Sequence, residues 1–315
     1  MDNGVAQYTA SQCDCVIALG GGSAIDVAKG ISLTAQNKHD LWEFCFFESP
    51  DSLTVPADNN FFVPLVIIPT TAGTGSELSG SSCVLTDEAP QRKRVAYHPA
   101  HFPFAIIDDP ELLVELPANL TAWTGMDALT HAMEAYCAPD FNPACDGIAL
   151  EAISLCHDYL AASMADSADI EAREKVMAAS SIAAIVFTTI GLGAVHSLAH
   201  AIAAMFDNHH GLANVVLLPY VLEFNLQAVS KKLARVARLL DLPDSSAHGV
   251  LEWIVSYNQQ LNIPDSLQAL DINQAALADI AALAMWDTEH HTNPVAMLEA
   301  DFRHILNAAF AGRDQ

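Results

Sequence analysis

Apolar residues fall into two kinds of pattern along this chain. In the first third they form short unbroken runs, at residues 15–19, 63–68 and 104–107, closed by glycines, by Pro69 and by Asp108-Asp109-Pro110 respectively. Runs of this length without polar alternation predict strands buried on both faces of a parallel sheet. A helix is expected to begin near Ser23, directly after the first run. Beyond Pro117 the strand signals stop and helical spacing takes over, as in Met126, Leu129 and Met133. Breaks between helices are expected near residues 139–143, Pro219, Pro243 and Pro264. The pattern thus predicts an α/β nucleotide-binding domain over 1–116 and an all-α domain over 117–315, with no internal repeat.

Composition supports a folded chain and removes some partners. Of 315 residues, 52% are apolar and 16% charged, with a net charge of −25. A surface this acidic repels phosphate backbones, which argues against a nucleic-acid partner. Seven cysteines, an odd number with no CxxC pair, read as reduced thiols in a cytoplasmic protein. Residues 177–206 hold no Asp, Glu, Lys or Arg and are long enough to cross a bilayer. The stretch is rich in Ala, Ser and Thr, is broken by Gly191-Leu192-Gly193, and lacks aromatic belts, so buried helices and no membrane span are expected. The first dozen residues have neither the basic nor the apolar part of a signal peptide.

Two loops follow predicted strands. In VIALGGGSAIDVAKG a strand runs into Gly20-Gly21-Gly22 and then a helix, a turn in which backbone N–H groups and the new helix end approach a phosphate. Its spacing is not GxGxxG, since Ile25 stands at the third glycine position. The second loop, IIPTTAGTGSE, offers Thr70, Thr71, Thr74 and Ser76 around Gly73 and Gly75. A glycine-rich and a hydroxyl-rich loop at the carboxyl ends of parallel strands suit a nucleotide bound in the crevice between them.

The helical part carries a second chemistry. In GMDALTHAMEAY, Asp127 and His131 lie four apart and share a helix flank. Four of the 13 histidines, His196, His200, His209 and His210, then fall within fifteen positions of almost uncharged sequence. A carboxylate with two or three imidazoles and no thiolate suits Fe(II) or Zn(II) with one position open. Spacing alone leaves open which member of each pair, His196 or His200 and His209 or His210, is a ligand.

With these motifs in place the chain resembles the iron-containing (group III) alcohol dehydrogenases. The likeness rests on GGGSAIDVAKG at 20–30, PTTAGTGSE at 69–77, GMDALTHAMEAY at 125–136, and GLGAVHSLAHAI with HHGLANVVLLPYVLEFN between 191 and 225, with TNP at 292–294 beyond them. The resemblance implies metal ligands at Asp127, His131, His196 and His210, with His200 facing nicotinamide and substrate and His209 a bystander. It implies that Gly21, Gly22 and Ser23 hold the pyrophosphate and that Thr70, Thr71 and Thr74 line the cofactor cleft. Lys93 would lie near the ribose and nicotinamide, and Asp26 would shape the glycine loop. The implied cofactors are Fe(II), with Zn(II) as the other option, and NAD or NADP. The implied reaction moves a hydride between a small alcohol and the nicotinamide, the ion acting as a Lewis acid. An apolar wall is expected at 185–187 and 205–206.

The family places further strands and helices before its GGGS strand, whereas here that strand begins about a dozen residues after Met1. A partial sheet with an exposed apolar edge is therefore expected, and with it a homo-oligomer. Other activities that fit the same motifs are those of a polyol dehydrogenase and a hydroxyacid–oxoacid transhydrogenase. A truncated, non-catalytic relative is the alternative from another class. Retention of all four ligand positions and His200 speaks against it.

Overall fold

The fold comes from a computed structural model that describes residues 1–37, 39–45, 62–80, 82–88, 91–206 and 208–313. Helix α1 (Asp2–Ala10) leads to strand β1 (Val16–Gly20) and helix α2 (Gly22–Thr34), followed by β2 (Leu65–Pro69), β3 (Cys83–Glu88), β4 (Gln91–Ala96) and β5 (Ala105–Ile106). Strands β1, β2 and β5 form a parallel sheet in that order, with Val16 opposite Leu65 and Val66 opposite Ala105. Strands β3 and β4 form a separate antiparallel hairpin. The rest is helical: α3 (Ala118–Cys137), α4 (Pro143–Ala165), α5 (Ile170–Ile190), α6 (Ala194–Phe206), α7 (His210–Asn225), α8 (Ser230–Leu239), α9 (Ala247–Gln260), α10 (Leu277–Trp286) and α11 (Glu299–Ala311).

The three apolar runs are strands of one parallel sheet, as expected, but they are not buried on both faces. Ala18, Leu65 and Ile67 pack against Ile25 and Ala28 of α2. On the other face Ile17 and Leu19 are 61% and 62% exposed, and Phe104, just before β5, is 81% exposed. A continuous apolar run reads the same whether one face is covered or two, because periodicity is informative only when the open face is polar. The β3–β4 hairpin was not expected. Its second strand, QRKRVA, is too basic to stand out among apolar runs.

In the helical part, α3 and α7 lie at the centre and are buried nearly all round. No single described helix is long and apolar enough to cross a membrane; the uncharged stretch divides into α5 and α6, which meet at 103°. The hydroxyl-rich loop after β2 docks onto this bundle. At Gly73 an added Cβ would come within 2.2 Å of the Thr124 carbonyl oxygen, so the loop touches α3 where a side chain would hold it off. Two polar side chains of α2, the buried Lys29 and the half-buried Asp26, fasten the same loop. Lys29 Nζ donates to Ser76 O at 2.5 Å, Ser79 Oγ at 2.9 Å and Ser82 O at 2.8 Å. Asp26 accepts from Ser76 Oγ at 2.5 Å and from the Val84 N–H at 3.1 Å. No disulfide joins any of the seven cysteines among the described residues.

Breaks do occur around 139–143, Pro243 and Pro264, but not at Pro219, which lies inside α7. Proline removes the N–H that would pair with the carbonyl of residue 215. That carbonyl finds another donor, the Asn258 side-chain amide at 3.0 Å, so the helix continues. Replacing Asn258 with Ala is expected to cost about 1–3 kcal/mol, the penalty of a buried carbonyl without a partner. Adding Pro219→Ala, which restores the N–H, should recover most of that loss. Urea midpoints of the single and double variants check both outcomes.

Candidate metal and cofactor site

Four side chains from three helices converge beneath the loops. Asp127 Oδ1 on α3 lies 3.9 Å from His131 Nε2 one turn on, 3.8 Å from His196 Nε2 on α6, and 4.0 Å from His210 Nε2 at the start of α7. All but the half-buried His210 are buried. Asn214, one turn after His210, turns its amide nitrogen into this group, 2.7 Å from Asp127 Oδ1 and 3.0 Å from both His196 Nε2 and His210 Nε2. Its two N–H bonds meet three acceptors, and its own Oδ1 is buried with no partner among the described residues. The donor set therefore has more inward lone pairs than the protein's protons satisfy, which is the chemistry of a cation site. Asp127, His196 and His210 offer ligand atoms within 4.8 Å of one another.

Glu134 fixes the orientation of His196. It stands seven residues after Asp127 on the same helix, and its Oε2 lies 2.5 Å from His196 Nδ1. Its Oε1 accepts the Val195 N–H at 2.7 Å, and the N–H groups of Gly193 and His196 also reach the carboxyl. A Cβ at Gly193 would come within 2.7 Å of Oε1, so the approach needs glycine there. Burial pushes the Glu134 carboxyl up to about 8 against the pull of these donors. As a carboxylate it accepts a hydrogen bond from Nδ1–H of His196 and leaves the Nε2 lone pair facing Asp127.

The imidazoles divide by charge. Burial lowers His131 to about 4 and holds His196 and His210 well below the ordinary histidine value. His200, one turn after His196, behaves otherwise. Burial opposes its charge, yet the Asp287 carboxylate, with Oδ2 2.8 Å from His200 Nδ1, raises it above the ordinary value. Asp287 also accepts from Ser197 Oγ at 3.0 Å and the Glu289 N–H at 2.9 Å. His209 packs against Trp123, with tilted rings 5.2 Å apart, and does not line the cavity at this cluster.

A cavity of about 580 Å³ runs from this cluster to the glycine loop. Gly22, Ser23, Asp26, Thr74 and Lys93 line it, together with Asp127, His131, His196, His200 and His210. Gly21, Thr70 and Thr71 do not; Thr71 packs against Gly21 instead. Of the expected apolar wall only Phe187 faces the cavity, joined by Leu192 and Trp286. Ile185 lies two residues from Phe187, on the opposite flank of α5, and is 43% exposed. Met205 and Phe206 pack on the helical core. The hairpin reaches the same cavity, with the Arg92 guanidinium 3.5 Å over the Trp286 ring.

Comparisons with known proteins identify the family. A family model described as "Iron-containing alcohol dehydrogenase" matches residues 1–110, and "Fe-containing alcohol dehydrogenase family, C-terminal" matches 121–310. The chain belongs to the iron-containing alcohol dehydrogenase family. It is an oxidoreductase acting on alcohols, with aldehydes as substrates of the reverse reaction. It is 36% identical to 1,3-propanediol dehydrogenase of Klebsiella pneumoniae, over 98% of this chain and 79% of that one. Against 4-hydroxybutyrate dehydrogenase of Cupriavidus necator the identity is also 36%, over 96% and 79%. A crystal structure of a 1,3-propanediol oxidoreductase superposes with a TM-score of 0.91 at 36% identity, over 98% of this chain and 80% of that one.

Glu134, Asn214, Asp287 and Glu289 were missed as site residues in the sequence. Glu134 and Asn214 had a usable signal: Asp127, His131 and Glu134 follow the spacing i, i+4, i+7, and Asn214 is four past His210. Asp287 and Glu289 had none, because tertiary packing alone brings them to His200. Replacing Glu134 with Gln should weaken divalent-metal affinity by about 10–100-fold, measured by competition with a chromophoric chelator. Circular dichroism should show the fold retained.

Proposed function

We propose that this member of the family is a dehydrogenase of small alcohols that uses a divalent ion held by Asp127, His131, His196 and His210 and a dinucleotide held at the glycine loop. The observation that carries the reading is the meeting of one carboxylate oxygen with three imidazole Nε2 atoms within 4.0 Å. One hard oxygen and three borderline nitrogens suit Fe(II), and Zn(II) as well. When bound, the ion supplies Lewis acidity toward a substrate oxygen and the nicotinamide supplies a hydride acceptor.

The chain's own residues do the rest. Neutral His131, His196 and His210 keep their lone pairs for the ion. The Asp287 carboxylate supports a proton on the His200 imidazole, so His200 is the group placed to pass or receive one at the substrate end. Helix α2 has Gly21 as its N-cap and no side-chain cap, leaving its first N–H groups for an anion such as a pyrophosphate. Gly22, Ser23 and Thr74 face the cavity beside that helix end, and Lys93 lies on the hairpin above. The nucleotide is taken as NAD, with NADP open. Phe187, Leu192 and Trp286 exclude water from the reacting end and fit a short carbon chain. The exposed apolar face of Ile17, Leu19 and Phe104 is consistent with a homo-oligomer.

Purification of the protein followed by metal analysis and NADH formation with short alcohols tests the reading. His196→Ala is expected to lose bound metal and alcohol oxidation together. A metal-free variant that still oxidises alcohols would overturn the ligand assignment. A wild-type protein that binds metal but oxidises no alcohol would be the non-catalytic relative.

A further inference from the structure

The substrate end of the cavity is not uniformly apolar. Beside Phe187, Leu192 and Trp286 it is lined by Thr188, Thr288 and Glu289. Asp287 is engaged by His200, so the carboxylate of Glu289 is the other acidic group on this wall. It is held in place by the backbone of the α5–α6 turn, accepting the Leu192 N–H. The turn is locked in its own right, since Thr292 Oγ1 donates to Leu192 O at 2.6 Å. A half-buried carboxylate with one backbone donor has lone pairs left over, and Glu289 lines the cavity.

The imidazole cluster and this wall line the same cavity, so an alcohol reacting at the cluster can lay its other end along the wall. A methyl end would cover the Glu289 oxygens without giving them a donor, leaving a desolvated charge unpaired. A carboxylate end would set two like charges together in a partly dry site. A hydroxyl end donates a hydrogen bond. We propose that Glu289 reads the far end of the substrate, so that the site takes a short diol over a simple alcohol of equal length and turns away the ω-hydroxy acid. The inference rests on the dehydrogenase reading of this cavity and adds the substrate class.

The test compares 1,3-propanediol, 1-butanol and 3-hydroxypropanoate as substrates of the metal-loaded protein with NAD. The pH is 9, above the value of about 7 to which burial and Asp287 push the Glu289 carboxyl. In the wild type, kcat/KM for the diol should exceed that for 1-butanol by about tenfold or more, with the hydroxy acid below both. Glu289→Leu should bring diol and butanol within about twofold of each other. Glu289→Gln keeps an acceptor without the charge, so it should retain diol preference while narrowing the deficit of the hydroxy acid about fivefold or more. Ratios unchanged in both variants would overturn the proposal. If no alcohol is oxidised, the dehydrogenase reading fails separately. Calorimetric binding of the same three compounds to Zn(II)-loaded wild type and variants then still decides for or against Glu289.

Discussion

Glu134 reaches from α3 into the first turn of α6 and divides its two oxygens between backbone N–H groups and the Nδ1 of His196. Two requirements are met by this one contact. The first turn of any helix has N–H groups with no partner inside the helix, and here a carboxylate supplied by another helix takes them, which sets where α6 starts and how it is turned. The same carboxylate fixes which imidazole nitrogen carries hydrogen, so the other presents a lone pair to Asp127. A buried carboxylate is costly unless donors surround it. The missing side chain at Gly193 lets the donors come close enough. Position and protonation of His196 are therefore set together.

That coupling explains how histidines so close in sequence acquire different characters. His196 and His200 are one turn apart on α6 and both are enclosed, yet His196 faces a hydrogen-bonded carboxylate shared with three backbone groups and His200 faces Asp287. Enclosure by itself drives both toward the neutral form. Only at His200 does a neighbouring charge outweigh it. The cluster thus keeps lone pairs on one side and a charge-supported imidazole on the other, and the proposed reaction rests on that separation.

Much of this could be read in the chain before its fold was known. The parallel strands, the helical second part and the two loops follow from local periodicity and glycine placement, which act over a few residues. The Asp127–His131 pair is local as well. What could not be read depends on contacts distant in sequence. Ile17 and Leu19 look like core because nothing in an apolar run says whether a second layer covers it. Pro219 looks like a stop because its remedy, Asn258, is on another helix. Motif resemblance, not spacing, separated His196 from His200, and the structure supplies a physical difference between them in the carboxylate that each one meets. The apolar wall was misplaced at Ile185, Met205 and Phe206 because absence of charge marks a buried helix without saying which flank faces the cavity.

The two halves of the cavity come from parts of the chain with different folding logic, and their relative position has to be fixed if a hydride donor and acceptor are to align. Three features join them. Gly73 lets the hydroxyl-rich loop touch α3 within a turn of Asp127. Lys29 and Asp26 tie that loop and the start of β3 to α2, whose other end begins at the glycine turn. Arg92 on the hairpin rests on Trp286 at the end of α10, next to Asp287. The Gly73 and Arg92 links run from the loop and the hairpin to residues beside Asp127 and Asp287, and the Lys29 and Asp26 bonds brace the loop that makes the first of them. This polar anchor of Asp26 and Lys29 stands where an apolar packing of the same volume would stabilise the fold as well. Its directional hydrogen bonds instead specify one placement of loop against helix, and in a site divided between a sheet and a bundle that placement sets the distance between the reacting groups.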